Sequence, residues 1–245
     1  MIITDAPSPN FNPRAGGRRP DVIILHYTDT RTTFDALQIL QSVERKVSSH
    51  YLVGDNGQVM RLVPEEMRAW HAGQSWWEGE GDLNSRSIGI EIQNPGHGFG
   101  YVPFPQVQMN AVLDLCRGII ERWGVLPYHV LGHSDIAPNR KIDPGELFPW
   151  EWLAGQGVGL WPQPTETEML DGAELLGNED AIKLLMTRYG YDPAQEFTTL
   201  ITAFQRHFEG DIFTLPEIVG KPHARTVARM MALIRQRLAL RPKAL

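Results

Sequence analysis

The segment from His133 to Pro144, His-Ser-Asp-Ile-Ala-Pro-Asn-Arg-Lys-Ile-Asp-Pro, restricts the possible folds of this chain more than any other part of it. Proline lacks an N–H donor and clashes with the preceding helical turn, so Pro138 and Pro144 exclude a regular helix and predict a loop with fixed corners. Such a loop can direct His133 and Asp143 to one point. Imidazole and carboxylate are ligand types of a catalytic zinc site, which requires a third protein ligand from elsewhere.

A second histidine follows a short apolar strand. Val22–Leu25 is a continuous apolar run that fits a strand buried on both faces, and His26 comes at its end, where a side chain can reach a cleft. A single histidine in such a place is more often a hydrogen-bonded structural residue than a ligand. The pattern gains weight only in combination with the His133–Asp143 loop and an acidic residue on another strand.

That acidic residue is Glu91. Ser87–Ile92 reads Ser-Ile-Gly-Ile-Glu-Ile, and the alternation of a strand puts its isoleucines on one face and Gly89 and Glu91 on the other. Ionised carboxylates are rarely left unpaired inside a protein. Two interpretations remain open: Glu91 faces solvent on an edge strand, or it lies in a cleft near a metal and accepts a proton from a bound water.

The remaining patterns predict an α/β (α+β) fold for residues 1–163, with a mixed central β-sheet flanked by helices. Apolar residues at helical spacing predict helices over 34–47 and 106–123. Asn56-Gly57 predicts a hairpin between strands at 50–53 and 59–63. A last short strand is expected at 128–131, and residues 1–20 are expected to be irregular.

A glycine-rich stretch ending in Trp-Pro-Gln-Pro at 161–164 predicts a domain boundary, with a second domain over residues 164–245. Three helices are expected there, over Asp180–Tyr189, Phe197–Phe208 and Ala224–Leu240. Because no strand pattern interrupts them, the sequence predicts a small three-helix bundle.

Composition excludes some classes of function. The net charge is −6 and no basic run occurs, so the electrostatic footprint of a nucleic-acid-binding protein is missing. The apolar stretches are too short for a transmembrane segment. The first residues lack the order of a signal peptide, which predicts the cytoplasm for the chain as written, or a periplasmic or outer-membrane-associated location if a leader was removed. We expect a monomer.

Four segments, in order along the chain, resemble the zinc-dependent N-acetylmuramoyl-L-alanine amidases of the amidase-2 (AmpD/AmiD) family. They are Val22-Ile-Ile-Leu-His-Tyr-Thr28, Arg68-Ala-Trp-His-Ala-Gly73, Ser87-Ile-Gly-Ile-Glu-Ile92 and His133 through Gly145. The match runs in order from about Asp21 to Trp150, which is most of the first domain. The resemblance implies a fold like that of the peptidoglycan-recognition proteins. It also implies hydrolysis of the amide between N-acetylmuramic acid, or its anhydro form, and the L-alanine of the stem peptide, in peptidoglycan or in muropeptides.

Carried over position by position, the resemblance makes His26, His133 and Asp143 the ligands of one Zn²⁺ ion. It makes Glu91 the catalytic glutamate and Lys141 the basic residue near the scissile carbonyl. Three protein ligands leave a fourth tetrahedral position open, as in catalytic zinc sites. The glutamate would accept a proton from water and pass it to the leaving amine, and the lysine would stabilise the oxyanion.

The resemblance also implies substrate contacts by Trp70, His71 and Ala72, in the segment that lines the cleft of the family, and by Asn84. Trp70 could equally be a core residue. The adjacent tryptophans, Trp76 and Trp77, are expected at the rim of the cleft.

The last third of the chain resembles the small peptidoglycan-binding domain of wall hydrolases, on the basis of Tyr189-Gly-Tyr191 and Ala203-Phe-Gln205. A generic helical bundle that only packs on the first domain is the alternative.

Two other functions compete with a zinc amidase. A non-catalytic peptidoglycan-recognition protein of the same fold is disfavoured because the three ligand types are retained. A cysteine amidase would use Cys116, the single cysteine, but this residue lies on the apolar stripe of the 106–123 helix and is expected in the core.

Overall fold

The computed structural model describes residues 2–240. The strands are β1 (Ile3–Asp5), β2 (Phe11–Pro13), β3 (Val22–Tyr27), β4 (Tyr51–Val53), β5 (Val59–Arg61), β6 (Met67–Ala69), β7 (Ser87–Ile92) and β8 (Val130–Gly132). The helices are α1 (Thr33–Gln41), α2 (Leu83–Arg86), α3 (Gly96–Phe99), α4 (Gln106–Trp123), α5 (His133–Ile136), α6 (Trp150–Gly155), α7 (Glu166–Glu174), α8 (Glu179–Tyr189), α9 (Phe197–Phe208) and α10 (Ala224–Leu240).

Six strands form a mixed sheet in the order β1-β5-β4-β7-β3-β8, which confirms the predicted fold class. All of its pairings are parallel except the predicted β4–β5 hairpin. The strands β2 and β6 form a separate antiparallel pair. The strand β3 lies between β7 and the edge strand β8, and its register places His26 directly opposite Glu91. The two side chains therefore project from the same face of the sheet.

Each face of the sheet packs on a different layer. Ile23 and Leu25 of β3 and the isoleucines of β7 belong to one cluster with the buried stripe of α4. Val22 and Ile24, which alternate with them, belong to a second cluster that includes residues of α8, α9 and α10. The strand β3 is thus buried on both faces, as its continuous apolar sequence predicts.

The C-terminal region contains four described helices, so the prediction of three was incomplete. The missed helix, α7, buries only Gly172 and therefore has no apolar stripe to reveal it. Its signal was the capping box, in which Thr165 and Glu168 exchange hydrogen bonds at the N-terminus. Gly172 lies against the backbone of α10, where a Cβ would come within 2.7 Å of the carbonyl oxygen of Ala224.

Other boundaries differ from the predictions as well. The first helix stops at Gln41, and Val43 beyond it is exposed. The expected irregular start contains β1 and β2, and the last strand begins at Val130, after a 3-10 turn. The loop after His133 opens with a single helical turn, α5, which ends two residues before Pro138. None of the helices over residues 2–240 combines the length and the apolar character needed to cross a membrane.

Candidate active site

Three side chains meet where the strands β3 and β8 end. His26 lies near the carboxyl end of β3, His133 directly follows β8, and the loop returns Asp143 to the same point. Their ligand atoms form a small triangle. His26 Nδ1 lies 2.9 Å from both His133 Nδ1 and Asp143 Oδ2, and His133 Nδ1 lies 3.0 Å from that oxygen. All three residues are buried.

The proton positions on His26 follow from a chain of hydrogen bonds that starts at a backbone carbonyl. The hydroxyl of Ser87 donates to the Leu83 carbonyl at 2.5 Å, so its oxygen accepts from His71 Nε2–H at 3.2 Å. His71 Nδ1 is then an acceptor, and His26 Nε2–H donates to it at 3.0 Å. In a neutral imidazole only one nitrogen carries a proton. His26 Nδ1 therefore presents a lone pair to the triangle.

His133 reaches the same state by a shorter route. Its Nε2 lies 3.2 Å from the carbonyl oxygen of Ala72, an acceptor, so in the neutral ring Nε2 carries the proton and Nδ1 presents a lone pair. Burial and the neighbouring His133 lower the pKa of His26 to about 4, and burial lowers the pKa of His71 well below its usual value. His26 is thus neutral at neutral pH, as a metal ligand must be, and so is His71 behind it.

With both imidazoles neutral, the triangle consists of three electron-pair donors that converge on one point. Such an arrangement calls for a cation. Ligand atoms about 2.1 Å from one tetrahedral zinc ion lie roughly 3.4 Å apart, so the observed separations need to open by only a few tenths of an ångström. Two imidazole nitrogens and a carboxylate oxygen fit a catalytic zinc site with an open position. Over residues 2–240 no other group of histidines, cysteines and acidic residues has metal-binding spacing.

The carboxylate of Glu91 lies beside this triangle. Glu91 is half-buried, but its Oε2 atom is inaccessible and has no hydrogen-bond partner among the described residues. Burial raises the pKa of the Glu91 carboxyl well above its usual range, the nearby Asp143 carboxylate adds to the increase, and Lys141 opposes it. A buried polar atom without a partner is costly, and such sites are often functional.

A cavity of about 340 Å³ opens above these groups. Its wall includes the three candidate ligands, Glu91 and Lys141, as predicted. Trp70 also lines it, half-buried, with its indole N–H donating to the Asn12 side chain at 2.6 Å. This position agrees with a substrate-facing tryptophan rather than a core residue.

The structure gives the other predicted substrate residues different surroundings. Both nitrogens of His71 are bonded to protein groups, and its ring stands behind His26 at the back of the cavity. Asn84 is buried away from the cavity wall, and its Oδ1 accepts the backbone N–H groups of His71 and Ala72 at 2.9 and 2.7 Å. Ala72 is fully buried and contributes backbone groups: its N–H donates to Asn84, and its carbonyl bonds both His133 and Arg140. Substrate contact by these residues stays a prediction.

One further prediction concerns a residue near the cavity. Trp77 is fully buried against Tyr191, so its expected place at the rim is wrong. The Gly96–Gly100 segment contains the helical turn α3. There His97 lines the cavity and bonds Tyr27 OH at 3.0 Å.

Sequence reasoning did not identify His97 or Arg140 as cavity residues. His97 is fixed on its outer side by Glu146, at 2.9 Å. The guanidinium of Arg140 is bonded to the carbonyls of Ala72 and Gln74, across the cavity from its own loop. The only signal for His97 was its pair of flanking glycines, which allow the turn to lie directly on Asp29.

Comparisons with known proteins place the chain in a family. The family model described as N-acetylmuramoyl-L-alanine amidase matches residues 16–146. N-acetylmuramoyl-L-alanine amidase AmiD of Escherichia coli is 39% identical over 236 residues, which span 88% of this chain and 83% of AmiD. The 1,6-anhydro-N-acetylmuramyl-L-alanine amidase AmpD of the same organism is 29% identical over 161 residues, or 59% of this chain and 86% of AmpD.

Two solved structures superpose over nearly the whole chain. One is E. coli AmiD in complex with the substrate anhydro-N-acetylmuramic acid-L-Ala-D-gamma-Glu-L-Lys, with a TM-score of 0.78, 36% identity and 92% of both chains covered. The other is AmpDh3 of Pseudomonas aeruginosa in complex with anhydromuramic pentapeptide, with a TM-score of 0.79, 31% identity and coverage of 91% and 94%. The chain therefore belongs to the amidase-2 family of N-acetylmuramoyl-L-alanine amidases.

Proposed function

We propose that this protein is a zinc-dependent amidase of peptidoglycan turnover or recycling, which hydrolyses the bond between N-acetylmuramic acid, or its anhydro form, and L-alanine. The observation that carries the proposal is the triangle of His26, His133 and Asp143. Its three electron-pair donors converge beneath a cavity that also holds an unpartnered carboxylate. Membership of the amidase family supplies the substrate class.

The ligand triangle would hold one zinc ion. When bound, the ion supplies Lewis-acid activation of a water molecule and of the amide carbonyl. The protein's contribution is to aim the Nδ1 atoms of both imidazoles, through the Ser87–His71 chain on one side and the Ala72 carbonyl on the other. Asp143 adds one negative charge to the ligand set.

Glu91 performs the proton transfer. Its raised pKa makes it a stronger base than an exposed carboxylate. It takes a proton from the attacking water as the hydroxyl adds to the carbonyl carbon. It then donates that proton to the alanine nitrogen when the C–N bond breaks. Because Oε2 has no other partner among the described residues, Glu91 can do this without first breaking a hydrogen bond.

Lys141 lies in the cavity wall two residues before Asp143 and supplies a positive charge close to the reacting carbonyl. A cation held there stabilises the negative oxygen that develops as water adds. The half-buried position reduces its hydration, which strengthens this interaction.

We infer that anhydro-muropeptides are among the substrates. AmiD and AmpDh3 were each crystallised with such a molecule, and each matches more than nine-tenths of this chain. Those matches extend through the C-terminal helices, whereas AmpD aligns with 59% of the chain. Because these helices resemble the peptidoglycan-binding domain of wall hydrolases, we propose that the protein uses intact wall as well as anhydro-muropeptides.

The test is cleavage of purified anhydro-muropeptides and of intact sacculi by the metal-free protein, before and after addition of zinc. We expect release of stem peptide only with zinc. A Glu91→Gln variant that still binds zinc should lose activity by at least a hundredfold. Cleavage that survives complete chelation would refute the zinc mechanism.

The same experiment addresses the alternatives. Binding of sacculi without any cleavage would indicate a recognition protein instead. A cysteine mechanism is disfavoured by the position of Cys116, which is fully buried within the α4 core cluster, where burial raises the pKa of its thiol to about 12. Alkylation of unfolded and folded protein would show whether that thiol is accessible at all.

A further inference from the structure

A buried carboxylate outside the ligand set lies two residues after the ligand His133. Asp135, in the turn α5, is 1% exposed, and its Oδ2 atom accepts the backbone N–H of Gly132 at 2.7 Å. Its other two partners come from the C-terminal region: Tyr191 follows α8, and His207 lies in α9. The hydroxyl of Tyr191 donates to Oδ1 at 2.6 Å, and His207 Nδ1–H donates to Oδ2 at 2.7 Å.

Both donors are themselves held by packing. The His207 ring stacks on Trp150 and Phe208, with centroid distances of 3.7 and 3.8 Å. Tyr191 is fully buried, and its ring meets Trp77 edge-on at 5.0 Å. The two side chains therefore present fixed donors rather than mobile ones.

Asp135 needs these donors because a buried carboxylate without hydrogen bonds is strongly destabilised. If either donor is removed, the cheapest response is for the α5 turn to move so that Asp135 reaches water. That movement displaces His133, which starts the turn. It also affects Asp143, because Ser134 N–H donates to the Asp143 carbonyl at 2.9 Å and so ties the two ends of the loop together.

We propose that the C-terminal helices are a positioning element of the metal site, with Tyr191 and His207 as positioning residues that act through Asp135 on His133. The second domain is then more than a wall-binding appendage: it completes the hydrogen bonds of the loop that carries two of the three ligands. The shared core, in which β3 and β8 pack on α8, α9 and α10, supports this role.

A second contact from α9, the helix that contains His207, reaches the other side of the cavity. Arg206, next to His207, donates to Glu146 Oε2 at 3.3 Å, and Glu146 Oε1 bonds His97 in the cavity wall. The end of α9 therefore contacts the His133–Gly145 loop at its beginning and just beyond its end.

The test compares zinc affinity in matched variants, measured by competition with a chromogenic chelator. The proposal rests on the proposed function only in that the site binds zinc. Tyr191→Phe should weaken zinc binding roughly tenfold. The control is Tyr189→Phe, the same chemical change two residues earlier at a buried ring whose hydroxyl does not contact Asp135. We expect it to stay within twofold of wild type.

His207 offers a rescue experiment. His207→Asn keeps an N–H near the position of Nδ1, whereas His207→Leu removes the donor. We expect the leucine variant to lose roughly tenfold in zinc affinity and the asparagine variant to recover most of it. At saturating zinc, kcat should fall with KM unchanged, because the substrate wall is intact.

Thermal unfolding of each metal-free variant separates positioning from general instability. Equal zinc affinity in Tyr191→Phe and Tyr189→Phe, or in the two His207 variants, would overturn the proposal. Failure of the wild type to cleave muropeptides would instead count against the proposed function, because the zinc comparison needs no substrate.

Discussion

Replacing His71 by phenylalanine tests whether the back of the cavity controls the metal site. In the protein with bound zinc, His26 Nδ1 must carry a lone pair, so its Nε2–H needs an acceptor, and His71 Nδ1 provides it at 3.0 Å. Phenylalanine fills a similar volume above Gly89, where the His71 ring now lies, but it cannot accept this bond.

The size of the effect follows from the state of His26 without metal. The metal-free variant can move the proton to Nδ1 and donate it to Asp143 Oδ2, which is 2.9 Å away. The zinc-bound variant cannot, and it keeps a buried unsatisfied donor at a cost of about 1–3 kcal/mol. Because about 1.4 kcal/mol corresponds to a factor of ten, we expect zinc affinity to fall roughly 10- to 100-fold.

The assay is chelator competition near neutral pH, with thermal unfolding of the metal-free protein measured in parallel. His50→Phe is the control. His50 is also fully buried, with its ring 5.6 Å from that of His71, but its nitrogens bond Met67 O and Gly89 N–H instead of a ligand. It should lower stability with little change in zinc affinity. A folded His71→Phe protein with wild-type zinc affinity would refute the reasoning.

Three other predictions concern separate parts of the molecule. The buried Glu65 accepts hydrogen bonds from Tyr51, Arg122 and Trp123, which outweigh its burial and lower its pKa below 4.5; Glu65→Gln should therefore cost about 2 kcal/mol in the free energy of unfolding at neutral pH. Because the folded pKa is the lower one, this difference should shrink in urea titrations as the pH falls below about 4.5. Gly172→Ala should destabilise the protein by about 1–2 kcal/mol in thermal unfolding, despite alanine's better helix propensity, because its Cβ would meet the α10 backbone. Lys141→Met should lower kcat by about a hundredfold or more while zinc affinity, measured by chelator competition, stays unchanged.

Local patterns in the sequence were sufficient to predict the main strands and the longest helix around the site. The unbroken apolar run of β3, the alternation in β7 and the amphipathic α4 each occur as predicted, because the number of buried faces is written directly into the order of apolar residues. The helix α7 escaped detection because its contact with α10 uses a glycine and backbone atoms, which leave no hydrophobic period.

The site residues also divide into features that motifs predict and contacts that only the structure shows. Motifs predict the three ligands, the proposed catalytic Glu91 and Lys141, and the structure places all of them around one cavity. The motif around His71 indicated a substrate contact, whereas the structure gives both ring nitrogens protein partners. Which atom accepts a proton from a given imidazole depends on neighbours that are distant in sequence, and a motif does not record them.

The sequence by itself thus predicted the chemistry: two histidines and an aspartate as metal ligands, a glutamate for proton transfer, and a sheet whose strands carry His26 and Glu91. The tertiary structure alone decided that His26 and His133 both present Nδ1, and that Asp135 is held by Tyr191 and His207 from the C-terminal helices. The physical reason is that burial patterns specify which faces are apolar, but not which buried face packs on which. Which imidazole nitrogen carries a proton, and which donors contact a buried carboxylate, depends on that packing.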